Sequence, residues 1–161
     1  MAKEKEDLGI ELSEIEISPD ELKELLGPPP ELAHKFDKVI NELFKRNSGI
    51  IGALVNTRTG IPIVAHFKID VPRELVDELH GALSAFTITS ELQLREIGLG
   101  FLQYALINAD KTIVLTGMIG EDIVFAIFAT KNTQPGLLIR DFFWFRNKGK
   151  EIVEKLGVST Q

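Results

Sequence analysis

Cysteine is absent from the 161-residue chain, which excludes disulfide stapling, thiolate nucleophiles and sulfur-ligated zinc or iron–sulfur centres together. Long apolar runs are missing as well. The longest are strand-sized, such as Ile123 to Ala129, against the ~20 residues of a membrane-spanning helix, so no membrane insertion is expected. Lys3, Glu4, Lys5, Glu6 and Asp7 give the N-terminus mixed charge with no apolar stretch behind it, unlike a secretory signal, and a cytoplasmic location is the expectation. An excess of positive charge is also lacking. The net charge is −6, and residues 1–26 account for all of it with three lysines against nine acids. The neutral remainder offers little counterion-release attraction to nucleic acid, so no nucleic-acid partner is expected.

The motifs of common active sites are missing too. No GxxxxGK phosphate loop occurs, and the segment Gly117 to Gly120 lies between strand-like runs rather than before a helix. His34, His66 and His80 have no metal-ligand spacing and read as ordinary surface or half-buried histidines. Ser48, Ser84 and Ser90 lack the strand-turn-helix context of a nucleophile elbow. The acid pairs Asp77-Glu78 and Glu121-Asp122 fall on a helix flank and in a turn, where solvation accounts for them. These absences predict a chain that is not an enzyme, with no catalytic residues, no cofactor and no metal.

What is present has clear punctuation. Residues 1–30 form an acidic leader in which Ser18-Pro19-Asp20-Glu21 predicts the start of one short helix, ended by Gly27 and the spacer Pro28 to Pro30. A domain is expected over residues 31–157, with 158–161 as a tail. Leu32, Phe36, Val39 or Ile40, and Leu43 or Phe44 recur at helical spacing, and Asn47-Ser48-Gly49 ends that helix. Ile50 to Val55 and Ile61 to Phe67 read as a hairpin whose Asn56 and Gly60 suit positive-φ turn positions. A helix opens at Pro72 and runs to about Ile97. Three strand-like runs follow, Phe101 to Asn108, Thr112 to Met118 and Ile123 to Thr130, predicting an antiparallel meander. A last helix extends from Pro135-Gly136 to Leu156.

The helix after Pro72 carries apolar residues all round. With residues 100° apart, Leu75, Val76, Leu79, Ala82, Leu83, Phe86, Leu94 and Ile97 share one side, which is expected to cover the sheet. Gly81, Ala85, Ile88 and Leu92 fall on the other. A glycine inside a helix costs about 0.5–1 kcal/mol relative to alanine, and close approach of a second helix explains both that glycine and the exposed Ile88 and Leu92. Phe101, Leu102, Tyr104, Leu106 and Ile107 make the third strand run apolar on both faces with no proline or lysine guarding it. With that strand at the sheet edge, both features predict a two-fold dimer, the alternative being that the first helix or the leader covers the Gly81 to Leu92 stripe within one chain. On the final helix, Leu138, Phe142, Phe145, Gly149, Ile152 and Leu156 form the core stripe. Trp144 shares a stripe with Asp141, Lys148, Glu151 and Lys155, and with its neighbour Phe143 is a candidate partner anchor. The alternative cover for Trp144 is the leader itself, through Ile10, Leu12, Ile15 and Ile17.

The order α-β-β-α-β-β-β-α predicts an α/β fold of α+β sandwich type, a five-stranded antiparallel sheet with helices packed on it. Gly49 to Ala65 (GIIGALVNTRTGIPIVA) and Lys111 to Ala129 (KTIVLTGMIGEDIVFAIFA) resemble the two hairpins of the roadblock, or dynein light-chain roadblock, family. The helix before the first strand distinguishes this order from longin domains, which begin with a strand. The resemblance implies a profilin-like roadblock fold and a homodimer, or a dimer with a second roadblock protein. It places the interface at Gly81, Ala85, Ile88, Leu92, Phe101, Gln103, Tyr104, Ala105 and Ile107. It also implies a non-catalytic scaffold or regulator that binds a small Ras-like GTPase. The alternative is a small-molecule sensor or a longin-like or profilin-like adaptor.

Overall fold

A computed structural model describes residues 18–19 and 28–157. The short helix expected after Pro19, most of the leader and the tail 158–161 lie outside the described residues.

Helix α1 spans Pro30–Arg46, with proline in its first turn, Glu31 near its N-terminus and Lys45 and Arg46 near its C-terminus, each matching the helix dipole. Its apolar stripe, Leu32, Phe36, Val39, Ile40 and Leu43, is buried throughout. Strands β1 (Ile50–Thr57) and β2 (Pro62–Phe67) form the first hairpin, and helix α2 covers Arg73–Glu96. Strands β3 (Ala105–Asn108), β4 (Thr112–Ile119) and β5 (Ile123–Thr130) form the meander before helix α3 (Pro135–Lys155). The five strands make one antiparallel sheet in the order β2-β1-β5-β4-β3, as expected for the fold class. β5 is the middle strand, and its continuous apolar run reflects burial on both faces.

The sheet separates two cores. On one side α1 and α3 close over Phe36, Ile40, Leu43, Leu115, Phe125, Phe142 and Phe145, with Phe125 stacked on Phe142 at 4.6 Å between ring centroids. On the other, α2 covers the smaller group Leu54, Leu83, Val114, Ala126 and Phe128. The side with more apolar area carries more of the hydrophobic stabilisation.

Two expectations are corrected here. Asn56 does not take a positive-φ turn position; it stays inside β1, fully buried, and Gly60 with φ 90° makes the turn. Asp141 does not lie on an exposed charged stripe. It is fully buried, because the C-terminus of α1 brings donors to it: Arg46 Nε at 3.2 Å and Asn47 Nδ2 at 3.1 Å, with Arg140 Nη2 at 3.2 Å from its own helix. This carboxylate ties α1 to α3 at one end of the sandwich. Trp144 beside it is half-buried, with the Arg46 guanidinium 4.5 Å above its ring.

Candidate interaction surface

The contact between α2 and the sheet is largely polar. The residues that α2 buries are His80, Leu83, Ser84, Thr87 and Glu91, a stripe rotated by roughly 100° from the one read in the sequence. Each polar member has a partner. His80 Nδ1 donates to Asn56 Oδ1 at 3.1 Å, and Asn56 Nδ2 donates to the Thr57 carbonyl and to Ser84 Oγ. Ser84 in turn donates to the Thr57 carbonyl at 3.0 Å, Thr87 meets Thr116 at 2.8 Å, and Glu91 accepts from the Leu102 amide at 2.6 Å. Buried groups satisfied in this way fix the rotation of the helix, since any other rotation would strand them.

That rotation sends the apolar residues outward. Leu75 (53% exposed), Phe86 (44%) and Ile97 (66%), expected to cover the sheet, face away from it, with Ala82 exposed beside them. They join Gly81, Ala85 and Leu92, which are exposed as anticipated. The exposed members of the two apolar sides therefore form one broad outward face, while buried Leu83 and half-buried Leu79 pack toward the sheet as expected, beside the polar inward stripe. Period alone cannot separate these readings. The available signal was the polar set His80, Ser84, Thr87 and Glu91 at helical spacing opposite polar strand residues.

The sheet edge next to this face is shorter than expected. Only Ala105 to Asn108 pair with β4, and Phe101 to Tyr104 precede the strand. Glu91 draws the Leu102 amide toward α2, and Gly98 and Gly100 at φ 81° and 97° turn the chain before it. Phe101 is 67% exposed beneath the Arg95 guanidinium, and Gln103 is exposed within reach of Arg146. Ile107 packs on the α2 side, whereas Tyr104 lies against Phe142 and Phe143 on the other. Among the described residues the outer edge of β3 faces no other strand.

The fold thus brings Leu92 together with half-buried Ile88 and exposed Phe101, while Gly81 lies farther along α2 against Gly60 of the β1–β2 turn. The fold separates them from Trp144 and Phe143, which lie across the sheet. Ile88, Leu92 and Phe101 also line a cleft of about 100 Å³, and a second cleft of about 240 Å³ lies by Asn47 and Thr133. Both fall below the roughly 300–1,000 Å³ typical of small-molecule sites. Among the described residues no helix is long and apolar enough to cross a membrane, and no three His, Asp or Glu side chains could hold a metal.

Burial makes His80 more than an ordinary surface or half-buried histidine. Desolvation lowers its pKa from the usual 6.5, while Asp77 opposes this less strongly. The unfolded chain therefore binds a proton here at a pH where the folded chain does not, so stability is full above about pH 6.5 and falls on acidification. The melting temperature is expected to drop between pH 7 and 5.5 more in the wild type than in His80→Gln. Melting curves of both across that range would check it, and parallel profiles would contradict it.

No family model and no curated protein sequence matches the chain. Solved structures do. MglB of Myxococcus xanthus superposes with a TM-score of 0.68 at 16% identity, covering 80% of this chain and 95% of that one. An MglB with a tetrameric arrangement gives 0.67 at 14% identity, covering 80% and 93%. The Roadblock/LC7 domain from Streptomyces avermitilis gives 0.65 at 13% identity, covering 73% and 97%. Helix order, sheet order and these superpositions agree: the chain has the roadblock fold.

Proposed function

We propose that the chain is a non-catalytic scaffold that dimerises through α2 and β3 and regulates a small Ras-like GTPase. One observation carries the dimer: the outward apolar face of α2 leaves Leu75, Phe86 and Leu92 about half exposed, and among the described residues the β3 edge of the sheet pairs with no other strand. Apolar area on that scale needs a cover in a water-soluble state, and a second copy offers the same helix and the same edge. The self-assembly of a solved MglB into a tetrameric arrangement supports the same reading. The polar groups of the α2–sheet seam, His80, Asn56, Ser84, Thr87 and Thr116, are engaged with one another, which supports the non-catalytic reading.

The GTPase follows from the resemblance to roadblock proteins, and Trp144 with Phe143 is the face assigned to it, since half-buried aromatics ringed by charge suit a partner's hot spot. Purified small GTPases encoded near this chain would be tested for binding and for changes in nucleotide hydrolysis and exchange. At least one is expected to bind and to lose binding with Trp144→Ala. Failure of all of them to bind would remove the GTPase from this reading and leave the dimer standing.

A further inference from the structure

The fold distributes charge unevenly across the sheet. α1 and α3 carry nine basic residues and six acids, and one of those acids, Asp141, is fully buried. α2 carries Arg73 and Arg95 against five acids. One side is therefore net positive and the other net negative. Residues 1–17 hold two lysines against six acids, together with Ile10, Leu12, Ile15 and Ile17. An acidic segment of this kind is attracted to the α1–α3 side and repelled from α2.

The same side offers apolar surface. Trp144, Phe44 and Phe143 are half-buried along the layer, and Trp144 lies under Arg46 with Arg140 and Lys148 one turn away on either side. Reach is sufficient as well. Twelve residues, 18–29, separate Ile17 from α1. Fully extended they span up to about 40 Å, and with the short helix expected after Pro19 about 25 Å, which still matches the about 25 Å length of α1 that ends at Arg46.

We propose that residues 10–17 dock on the α1–α3 layer of their own chain, with Ile15 and Ile17 over Trp144 and the acids Glu11, Glu14 and Glu16 toward Lys45, Arg46, Arg140 and Lys148. A partner that uses Trp144 must then displace the leader, which makes the leader a built-in competitor, while α2 and β3 stay free for a second copy. Only that regulatory consequence rests on the partner-face reading. The docking itself does not.

Trp144 is the one tryptophan in the chain, so its fluorescence reports the contact directly. In the full chain, Ile15→Asp with Ile17→Asp is expected to shift its emission to the red and raise acrylamide quenching. Glu11→Lys, Glu14→Lys and Glu16→Lys together should do the same, and so should about 0.5 M salt, where screening shortens to a few Å. Emission and quenching unchanged in both variants would overturn the proposal. A difference that grows with protein concentration would overturn its intramolecular form. Leu92→Glu is the control: it should alter size without altering Trp144 quenching, so loss of the dimer and loss of the docked leader are read separately.

Discussion

Leu92→Glu and Phe86→Glu are each expected to turn a dimer into a monomer while the circular dichroism of the fold stays intact. Both side chains are about half exposed in the single chain, 49% and 44%, and neither is among the residues that α2 buries against the sheet. A carboxylate at either position is therefore tolerated by the lone subunit. At a two-fold interface it enters twice, desolvated on both copies. Central interface positions cost about 2 kcal/mol or more when lost, which weakens the dissociation constant by roughly 30-fold or more. Light scattering across a concentration series reads the change. Wild-type size retained by both variants would contradict the assigned face.

The second large effect concerns stability. Asp141→Ala removes the acceptor of Arg46, Asn47 and Arg140 from a site with no solvent access. Hydrogen bonds to a charged group contribute about 1.5–3 kcal/mol each, but the arginines are 34% and 55% exposed and regain water when released. The net loss is expected at about 2–4 kcal/mol, measured as a fall in the denaturation midpoint with unchanged slope. Glu151→Ala provides the contrast. Its pair with Lys148 is 3.9 Å long and solvent-exposed, so that substitution should cost well under about 1 kcal/mol. Equal losses in the two variants would contradict the clamp.

These predictions come from residues whose sequence signals differed in quality. The hairpins, the meander and the three helices were legible because strand runs are bounded by turn residues and helices by prolines, and these are local signals. The rotation of α2 was not. Its apolar residues occupy most of the helix circumference, so hydrophobicity gave no preferred inward side, and the choice fell to buried polar pairs such as Asn56–His80 and Thr87–Thr116. Such pairs join residues 24 and 29 positions apart, which no local pattern reveals. Asp141 was misplaced for the same reason: its donors Arg46 and Asn47 come from another helix. The third strand lost its first half to a contact between Glu91 and Leu102 that is likewise tertiary. Exposure of Gly81, Ala85 and Leu92 was anticipated nonetheless, because both rotations leave that flank uncovered.

The absence of cysteine makes the most direct test simple, since a thiol introduced at one position is the only thiol in the chain. Single cysteines at Gly81, Ala85 and Leu92 on α2, and at Lys150 on the far side of the sheet, would be treated with a short bismaleimide at low protein concentration. The α2 positions are expected to give a covalent dimer in high yield and Lys150→Cys very little. Equal crosslinking at all four positions, or none on α2, would contradict a dimer built on this helix.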